Sequence, residues 1–510
     1  MPTLNRITSS VLLIASLAGC SSLPESISHD SDPQKAVPES TLLSLSESYL
    51  SNTEVPDQSG VLIQDSGWQA LSQRLALVDS AEHSIDIQYY IWNSDKSGHY
   101  LASRLLAAAD RGVSVRVLLD DINLNQREDL LTALDTHPNV QIRVFNPTPT
   151  RRGLGKWFEF LGDFSRLNRR MHNKSFTVDG AFSVVGGRNI GDEYFDLSDE
   201  INFRDRDALV TGEVVGEIQT SFVGYWDSPW SYPVEMLGGE ATSESPTLPK
   251  IATPVYLGFP NLPKGAKSSR QFMKDRLSEM SLVKADYISD TPVPDDVSNT
   301  DEPKITAQAL GKLARESQNQ VLLESAYLVF DDEQLKGWQA LRESGVEIRA
   351  LTNSMASNDL VTNHSAYAGR RKDMLEHGIS LFELMPDTKL CNESTKDDSK
   401  CAPKVPYGLH TKSAVFDSKI AAIGSFNFNL RSTYLNTESL LIIESEKVAQ
   451  QLTEHITPAL KEANSWNLIL DDGNVVWYAN DKVWEKEPET GNWERMQSGF
   501  LQLLPIEKYL

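Results

Sequence analysis

The stretch HNKSFTVD at residues 172–179 returns as HTKSAVFD at residues 410–417, so the pattern H-x-K-x-x-x-x-D occurs twice in the chain. Each copy is followed, at the same distance, by a glycine, a small residue, any residue and an asparagine: GGRN at residues 186–189 and GSFN at residues 424–427. Two copies with matching tails are too specific to arise by chance and indicate an internal duplication. The chain therefore carries two equivalent half-sites.

The hydrophobic pattern around the two motifs also repeats in the same order. Between residues 84 and 145, short β-branched runs alternate with a helical pattern that Gly112 ends. The same alternation recurs between residues 321 and 384, where Gly345 ends the helix. Strands that alternate with helices of this length predict an α/β sandwich. We therefore predict an α/β fold of two duplicated sandwich domains.

The remaining organisation follows from length and composition, because 510 residues exceed what one core usually supports. One segment rich in Ser, Pro, Asp and Glu is typical of a flexible tether, and a second polar segment indicates a connector with one helix near residues 269–282. The predicted units are a signal peptide (1–20), the tether (21–60), an N-terminal domain (61–230), the connector (231–305), a C-terminal domain (306–465) and a Trp-rich appendage (466–510).

The first twenty residues indicate a targeting signal rather than part of the fold. The apolar run at residues 11–17 is too short to span a bilayer, and it leads into LAGC at residues 17–20. This ending resembles a bacterial lipobox, which implies cleavage before Cys20 and acylation of its thiol. The alternative is a buried helix that ends at an incidental cysteine. The resemblance implies a membrane-anchored lipoprotein of the bacterial envelope that faces the periplasm, at either the inner or the outer membrane.

Two further cysteines, Cys391 and Cys401, lie close together in a polar segment. In an exported protein such a pair indicates a local disulfide. A zinc pair is the rival interpretation, but the sequence offers no further Cys or His ligands close by. We therefore favour the disulfide.

The motif residues suit an attack on a phosphodiester. A site must neutralise the phosphate oxygens before a nucleophile can approach, and two lysines and two asparagine amides provide this. One imidazole can attack phosphorus to form a phosphohistidine, while the other protonates the leaving alcohol and deprotonates the incoming one. This scheme requires neither a metal nor a cofactor. The candidate catalytic residues are His172, Lys174, Asp179, Asn189, Asp205, His410, Lys412, Asp417, Asn427 and Glu438.

Strand geometry predicts which motif residues share a face. Residues i and i+2 of a β-strand point the same way, so the His and Lys of each motif are expected to lie together. A two-residue turn at residues 179–180 would place Gly187 opposite His172, and the same count in the second half pairs Ser425 with His410. We expect these small residues to leave room for a substrate phosphate. The motif aspartates have the wrong parity for this face and are expected to cap the hairpin turns.

Each motif histidine also needs a partner that fixes its tautomer. We predict Glu438 as the partner of His410, and Asp205 or Asp207 as the partner of His172. The competing interpretation for all three carboxylates is an ordinary surface charge.

The charge balance limits the classes of substrate. A net charge of −23 argues against a general nucleic-acid binder, which needs a basic face for phosphate contacts. Residues 151–170, immediately before the first motif, are locally basic and interleaved with aromatic side chains. We predict a docking surface for anionic lipid headgroups there, with Arg151, Arg152 and Lys156 as binding residues. The alternative is a loop that packs its aromatic side chains on the body.

The motifs and their flanks are DFSRLNRRMHNKSFTVDG at residues 163–180, GGRNIGDEYF at 186–195 and IGSFNFNLRS at 423–432. They resemble the phospholipase D superfamily and, within it, the bacterial cardiolipin synthases of the C type, from about residue 65 to the C-terminus. The resemblance implies one active site between the two domains, with His172 as nucleophile and His410 as general acid and base. It also implies transfer of a phosphatidyl group between phosphatidylglycerol and a second phospholipid, which yields cardiolipin.

Three other functions compete with this interpretation. A hydrolytic phospholipase D has the same motifs and uses water in place of the second lipid alcohol. A nucleic-acid phosphodiesterase is disfavoured by the acidic balance and by the lipid anchor. A non-catalytic lipid-binding lipoprotein would not need two intact half-sites. The sequence identifies no protein partner.

Overall fold

The computed structural model describes residues 23–24, 26–29, 38–51, 58–124, 128–148, 164–237, 253–254, 259–502 and 507–509. Cys20, Arg151, Arg152 and Lys156 lie outside these residues, so the roles assigned to them stay predictions. Within the described ranges, no helix combines the length and the apolar character that a membrane span requires.

A mixed β-sheet forms the centre of the N-terminal half. The strands of this half are β1 (Ser59–Gln64), β2 (Ser84–Tyr89), β3 (Ser114–Asp120), β4 (Val140–Phe145), β5 (Ser175–Val178), β6 (Phe182–Gly186), β7 (Asn202–Arg204), β8 (Asp207–Gly212) and β9 (Ser231–Pro233). All except β7 join the sheet, in the order β9-β4-β3-β2-β5-β6-β8-β1. The three strands β2, β3 and β4 are parallel, and the other neighbours are antiparallel.

Helices cover this sheet and bury its apolar side chains. The helices of the half are α1 (Thr41–Leu50), α2 (Gly67–Ser80), α3 (Lys96–Asp110), α4 (Glu128–Asp135), α5 (Phe164–Leu167) and α6 (Glu213–Trp226). Leu75 of α2 and Leu105 of α3 pack with Ile87 and Val117 of the sheet in one fully buried cluster. Burial of this apolar surface is what holds the helices on the sheet.

The C-terminal half repeats this plan. After β10 (Ser281–Ser289), its strands are β11 (Gln320–Ser325), β12 (Glu347–Asn353), β13 (Ser380–Leu384), β14 (Tyr407–Leu409), β15 (Lys412–Phe416), β16 (Ile420–Gly424), β17 (Ser439–Glu444), β18 (Ser465–Asp471), β19 (Asn474–Ala479) and β20 (Lys482–Trp484). Again three neighbouring strands, β11, β12 and β13, are parallel, and β15, β16 and β17 follow them antiparallel. The predicted α/β fold with two duplicated domains is confirmed.

The helices that follow the first half are α7 (Ala266–Glu279), α8 (Ile305–Glu316), α9 (Asp332–Glu343), α10 (Val361–Glu376), α11 (Leu390–Thr395), α12 (Leu430–Tyr434), α13 (Glu446–Ile456) and α14 (Asn492–Leu501). The two sheets meet at a shared apolar layer in which Val185 and Val210 of the first half pack with Ile423 and Leu441 of the second. This layer places the carboxyl-terminal parts of both motif hairpins at the interface.

The segment at 231–305 is more than a connector, because it contributes strand β10. One end of β10 pairs with β1, with Val61 opposite Ser281, and the rest pairs with β17, with Ser289 opposite Ser439. Since β10 belongs to both sheets, it joins them into one hydrogen-bonded array. The predicted helix in this segment is present as α7. Strand β10 was not among the predicted elements.

The motif aspartates lie at the hairpin turns, away from the histidines. Asp179 accepts backbone N–H bonds from His83 and Ser84, at 2.8 and 2.9 Å, and thereby ties the β5–β6 turn to the start of β2. Asp417 does the same in the second half, with bonds from Asn319 and Gln320. Each turn holds three residues rather than two. The predicted pairing register is therefore one residue out.

Part of the predicted tether is folded, so the prediction of a flexible segment is wrong for residues 40–50. Helix α1 begins at a capping serine, Ser40, whose hydroxyl accepts the backbone N–H of Leu43. Leu42 is buried in the N-terminal core, and the Thr41 hydroxyl donates to Glu82 at 2.7 Å. Because this short helix is rich in serine, its composition alone does not reveal its apolar face.

The Trp-rich tail extends the C-terminal sheet. Strands β18 and β19 pair through a two-residue turn at Asp472-Gly473, and β18 pairs with β13. Trp466 and Trp477 are buried, whereas Trp493 on α14 is exposed. Cys391 and Cys401 form a disulfide, as the sequence predicted.

Candidate active site

Each motif histidine is held by backbone contacts with the opposite half. The His172 N–H donates to the carbonyl of Thr437 at 2.9 Å, next to a β-bridge between Met171 and Thr437. In the mirror arrangement, β14 pairs in parallel with β7, and the His410 N–H donates to the carbonyl of Arg204 at 2.8 Å. The two histidines therefore converge at one interface, just before strands β5 and β15 begin.

The carboxylate partners also cross the interface. Nδ1 of His172 lies 2.8 Å from Oε2 of Glu438, and Nδ1 of His410 lies 2.6 Å from Oδ2 of Asp205. The predicted pairings, Glu438 with His410 and Asp205 with His172, are therefore wrong. Both carboxylates come just before interface strands, β17 and β8, so their side chains reach the other half more readily than their own motif.

Asp207, the alternative partner of His172, lies in the interior of the N-terminal half. Its carboxylate forms an ion pair with Arg74 at 2.9 Å and contacts Arg188 at 3.5 Å. It bonds to neither motif histidine in the structure. Its role is to hold these two buried guanidinium groups.

The contacts of Nδ1 fix the tautomer of each histidine. Nδ1 of His172 faces two acceptors, Glu438 and the carbonyl of Ser425 at 3.0 Å, so Nδ1 carries the hydrogen and donates it. Nδ1 of His410 likewise faces the Asp205 carboxylate. In both neutral rings Nε2 is then the unprotonated nitrogen, as a nucleophile or a base requires.

Burial keeps both imidazoles neutral. It lowers the pKa of His172 to about 4, against the opposing effect of the Glu438 carboxylate. Burial and the positive charges of Lys412 and Lys174 lower the pKa of His410 well below its usual range. The lysines of both halves act on one histidine, so the four groups share a single site.

The two carboxylates differ in their proton affinity. Burial alone would raise the pKa of Glu438, but His172, Lys174 and the Ser425 hydroxyl hold it below its usual range. Its oxygens also accept the hydroxyls of Ser425 and Ser432 at 2.5 and 2.6 Å. At Asp205 burial dominates and raises the pKa to about 6. Glu438 therefore stays ionised more firmly than Asp205.

The two motif lysines are buried, and a bound phosphate would neutralise their positive charges. Lys174 Nζ donates to the His172 carbonyl at 2.6 Å, and Lys412 Nζ donates to the His410 carbonyl. Burial lowers the pKa of Lys174 to about 7 and that of Lys412 to about 8. An anion bound between them would stabilise both charged forms.

Gly187 and Ser425 contact the two carboxylates. The prediction that they make room for a substrate phosphate is therefore corrected. A methyl group added at Gly187 would overlap Oδ1 of Asp205. Ser425 occupies the corresponding place and donates its hydroxyl to Glu438. The one-residue difference in register, caused by the three-residue turns, moves them away from direct opposition to the histidines.

The two motif asparagines have different surroundings. Asn189 accepts the Ile91 N–H at 3.2 Å and donates to the Tyr194 hydroxyl at 3.1 Å, so its amide is committed to the protein. Asn427 is also buried, yet its side chain makes no hydrogen bond in the described part of the chain, so its Nδ2 hydrogens remain for a phosphate oxygen. Of the two asparagines, Asn427 is therefore the one whose amide can make the predicted contact with phosphate.

Two tyrosines of the site were missed from the sequence. The Tyr90 ring contacts the His172 imidazole edge-to-face at a centroid distance of 4.8 Å, and Tyr194 contacts His410 at 5.1 Å. Tyr90 follows the carboxyl end of parallel strand β2, a position where site residues commonly lie and which could have identified it.

The basic segment before the first motif is partly tied to the protein. Arg170 donates to Asp120 and to the Asn146 carbonyl, and Arg169 donates to the Val297 carbonyl at 2.7 Å. Arg169 and Arg170 therefore do not form a headgroup-docking surface. Arg151, Arg152 and Lys156 belong to the residues that the structure does not describe.

Comparison with known proteins places this geometry in a family. A family model described as "Cardiolipin synthase, PLD-like domain" matches twice, at residues 75–226 and 310–458. Cardiolipin synthase C of Escherichia coli (strain K12) is 37% identical over 464 residues, which cover 89% of this chain and 96% of that protein. An uncharacterised protein of Helicobacter pylori (strain ATCC 700392 / 26695) is 31% identical over 466 residues, which cover 89% and 90% of the two chains.

The fold itself has a solved counterpart. The crystal structure of phosphatidylserine synthase from Haemophilus influenzae Rd KW20 superposes with a TM-score of 0.57 at 12% identity, over 91% of this chain and all of that one. Together with the two motif-bearing halves and their crossed histidine–carboxylate pairs, the match at both halves settles the family. The chain belongs to the PLD-like cardiolipin synthases and is an enzyme of the phospholipase D type.

Proposed function

We propose that the protein is a phosphatidyltransferase that makes cardiolipin from phosphatidylglycerol and a second phospholipid, phosphatidylethanolamine or phosphatidylglycerol. The observation that carries the proposal is the pair of buried imidazoles, neutral while the site is free of substrate, each bonded to a carboxylate of the opposite half and followed by a buried lysine. Such a pair supplies a nucleophile and an acid–base group within one site.

In the first half-reaction, Nε2 of His172 attacks the phosphorus of the donor lipid. The N–P bond forms while the bond from phosphorus to the headgroup oxygen breaks. The anionic phosphate raises the pKa of the buried His410, so that its Nε2 binds a proton when the lipid binds and then gives that proton to the leaving oxygen. Lys174 and Lys412 neutralise the phosphate oxygens during the attack. The product is a phosphatidyl group carried on His172 and a free headgroup alcohol.

In the second half-reaction, His410 removes a proton from the terminal hydroxyl of phosphatidylglycerol. The resulting oxygen attacks phosphorus, the N–P bond breaks, and His172 recovers its electron pair. The ring of His172 becomes positively charged while it carries phosphorus, and the ionised Glu438 beside Nδ1 stabilises that charge. This requirement favours His172 as the nucleophile.

The same site can transfer the phosphatidyl group to water, which would make the protein a hydrolytic phospholipase D that releases phosphatidic acid. Membership of the cardiolipin synthase family favours transfer to a lipid alcohol. The two reactions differ only in which hydroxyl meets the phosphohistidine.

The deciding experiment incubates the purified protein with mixed micelles of phosphatidylglycerol and phosphatidylethanolamine and identifies the lipids by mass spectrometry. We expect cardiolipin from the wild type and none from His172→Ala. A matched control is His137→Ala, because His137 is a histidine at the surface of the N-terminal half. Phosphatidic acid without cardiolipin would replace the transferase by a phospholipase D.

We also propose that an acylated Cys20 anchors the enzyme in the bacterial envelope, facing the periplasm. The lipobox-like ending of the leader supports this proposal. Mass spectrometry of the mature protein extracted from membranes should find a lipid-modified Cys20 at the N-terminus. Full retention in the soluble fraction, with the leader intact, would contradict it.

A further inference from the structure

A loop between β12 and α10 is fixed against the strand that leads to the second motif. Asn353 donates to the Leu409 carbonyl and accepts the Leu409 N–H, both at 2.7 Å. The Ser357 hydroxyl donates to Asn353 at 3.1 Å, and a methyl group at Gly408 would overlap the Ser357 carbonyl. These contacts seat residues 353–359 directly beside the approach to His410.

The loop ends in a carboxylate that a second strand holds from the other side. Tyr327 follows β11, next to Ala326, whose N–H donates to the carbonyl of Thr411 at 3.1 Å. The Tyr327 hydroxyl donates to Oδ1 of Asp359 at 2.8 Å. Both anchors of Asp359 thus belong to elements that contact the backbone on either side of His410.

The Asp359 carboxylate is available to bind a ligand. Its side chain is exposed, and Tyr327 is the only side chain in the described parts of the protein that hydrogen-bonds to it. Although it is accessible to solvent, the Asp359 carboxylate is partly desolvated, which raises its pKa, while the positive charge of Lys412 opposes this rise. Lys412 and Asp359 therefore lie close enough to influence each other's pKa.

A carboxylate at this place has no evident use for the phosphate itself. It repels the anion that Lys174 and Lys412 attract, and the two carboxylates that the histidines need, Glu438 and Asp205, are already present. A carboxylate beside a phosphate site can instead bind a cationic part of the same substrate through a charge-assisted hydrogen bond. The complementary part is a cation attached close to the phosphate.

We propose that Asp359, held by Tyr327, is the subsite for the primary ammonium group of a phosphatidylethanolamine donor. The inference rests on the proposed function and names the residue that recognises the headgroup of this donor. The ammonium of ethanolamine is two carbons from the ester oxygen that leaves. That oxygen is protonated by His410, so the ammonium lies on the His410 side, where Asp359 is anchored. Phosphatidylglycerol, whose headgroup is neutral, is then the acceptor.

The test compares two donor lipids that differ only in the charge. Phosphatidylpropanol carries a methyl group where phosphatidylethanolamine carries the ammonium. With phosphatidylglycerol as acceptor, we expect the wild type to favour phosphatidylethanolamine in kcat/KM by roughly 10- to 100-fold, the usual effect of one charge-assisted hydrogen bond. Asp359→Asn should bring the two donors within about threefold of each other, and Tyr327→Phe should reduce the preference by a smaller factor.

Glu333→Gln is the matched control, because Glu333 is an exposed carboxylate of α9 that pairs only with Lys336 in the described structure. This variant should keep the wild-type preference. Asp359 also stands just before the N-terminus of α10, where a carboxylate can stabilise a helix. A purely structural role predicts a lower thermal midpoint and an equal loss with both donors, and that result would overturn the proposal, as would a wild type that does not distinguish the donors.

The outcome is separable from that of the proposed function. If the wild type releases phosphatidic acid and makes no cardiolipin, the transferase proposal fails. The two donors can still be compared through their hydrolysis, and the same loss of preference in Asp359→Asn would sustain the ammonium subsite.

Discussion

The two half-sites share a plan but differ in where the proton resides. Glu438 accepts two serine hydroxyls in addition to His172, and its pKa is held below the usual range. Asp205 accepts the Arg206 N–H and His410, and its pKa rises to about 6. The motifs are the same in both halves, so the difference comes from donors outside them. Duplicated motifs can therefore supply unequal chemical roles.

This difference supports the roles proposed for the two histidines. A firmly ionised carboxylate suits a ring that becomes cationic when it binds phosphorus, as we propose for His172. A carboxylate with a raised pKa shares a proton with its histidine more readily, as a general acid and base must. The asymmetry of the carboxylates thus agrees with the order of roles that the family resemblance implies.

The most direct test of the difference between the half-sites is to replace each histidine by alanine. We expect His172→Ala to lower turnover by roughly 10⁴-fold or more with every donor. His410→Ala should lose about 10²- to 10⁴-fold with natural donors but recover with phosphatidyl-p-nitrophenol, whose leaving group needs no proton. Intact-protein mass spectrometry of His410→Ala should then detect a phosphatidyl group on the enzyme. Recovery of His172→Ala by the activated donor would reverse the assignment.

Exchanging each carboxylate for its amide sharpens the same contrast. Glu438→Gln should lower kcat by about 10²- to 10⁴-fold with either kind of donor, because the His172 tautomer and its developing charge lose their support. Asp205→Asn should show a comparable loss only with natural donors. Single-turnover kinetics with phosphatidyl-p-nitrophenol separates the two variants. Equal losses in both would mean that the half-sites do not divide the work.

The lysines predict the alkaline side of the pH profile. The pKa is about 7 for Lys174 and about 8 for Lys412, and each loses its positive charge as the pH rises through that value. Since kcat/KM reports the free enzyme, it should fall between about pH 7 and pH 8 with phosphatidyl-p-nitrophenol. Lys412→Arg should move the decline to higher pH. An unchanged profile in this variant would indicate that Lys412 stays charged throughout.

The smallest expected effects concern the residues that support the carboxylates. Gly187→Ala should destabilise the fold by about 1–3 kcal/mol, because the added methyl group overlaps Asp205. Ser425→Ala removes one of two hydroxyl donors to Glu438 and should cost about 1–2 kcal/mol. Thermal unfolding measures both. A more stable Gly187→Ala would show that Asp205 can move aside without loss.

Sequence reasoning identified the residues that the duplication marks and missed those that only the interface brings together. His172, Lys174, His410 and Lys412 stand out because each occurs in a repeated pattern. The partner of each histidine does not, because it is contributed by the other half.

Local backbone details account for the remaining errors. The sequence of the three-residue turn that begins at Asp179 does not distinguish it from a two-residue turn, so the pairing register could not be counted from sequence. Strand β10 alternates apolar and polar residues within a polar segment, and only its two partner strands show that it is part of the sheet. Serine-rich α1 is stabilised by packing on the N-terminal core rather than by its own composition.

Strand β10 has a consequence for how lipids reach the site. Because one strand is shared by both sheets, separating the halves would require breaking a hydrogen-bonded ladder on one side of it. We therefore expect that the two halves of the enzyme do not hinge apart to admit substrates. Both lipids must instead reach the histidines while the two halves stay joined. The shape of the access to the site, rather than the ease of domain opening, would then limit which lipids are exchanged.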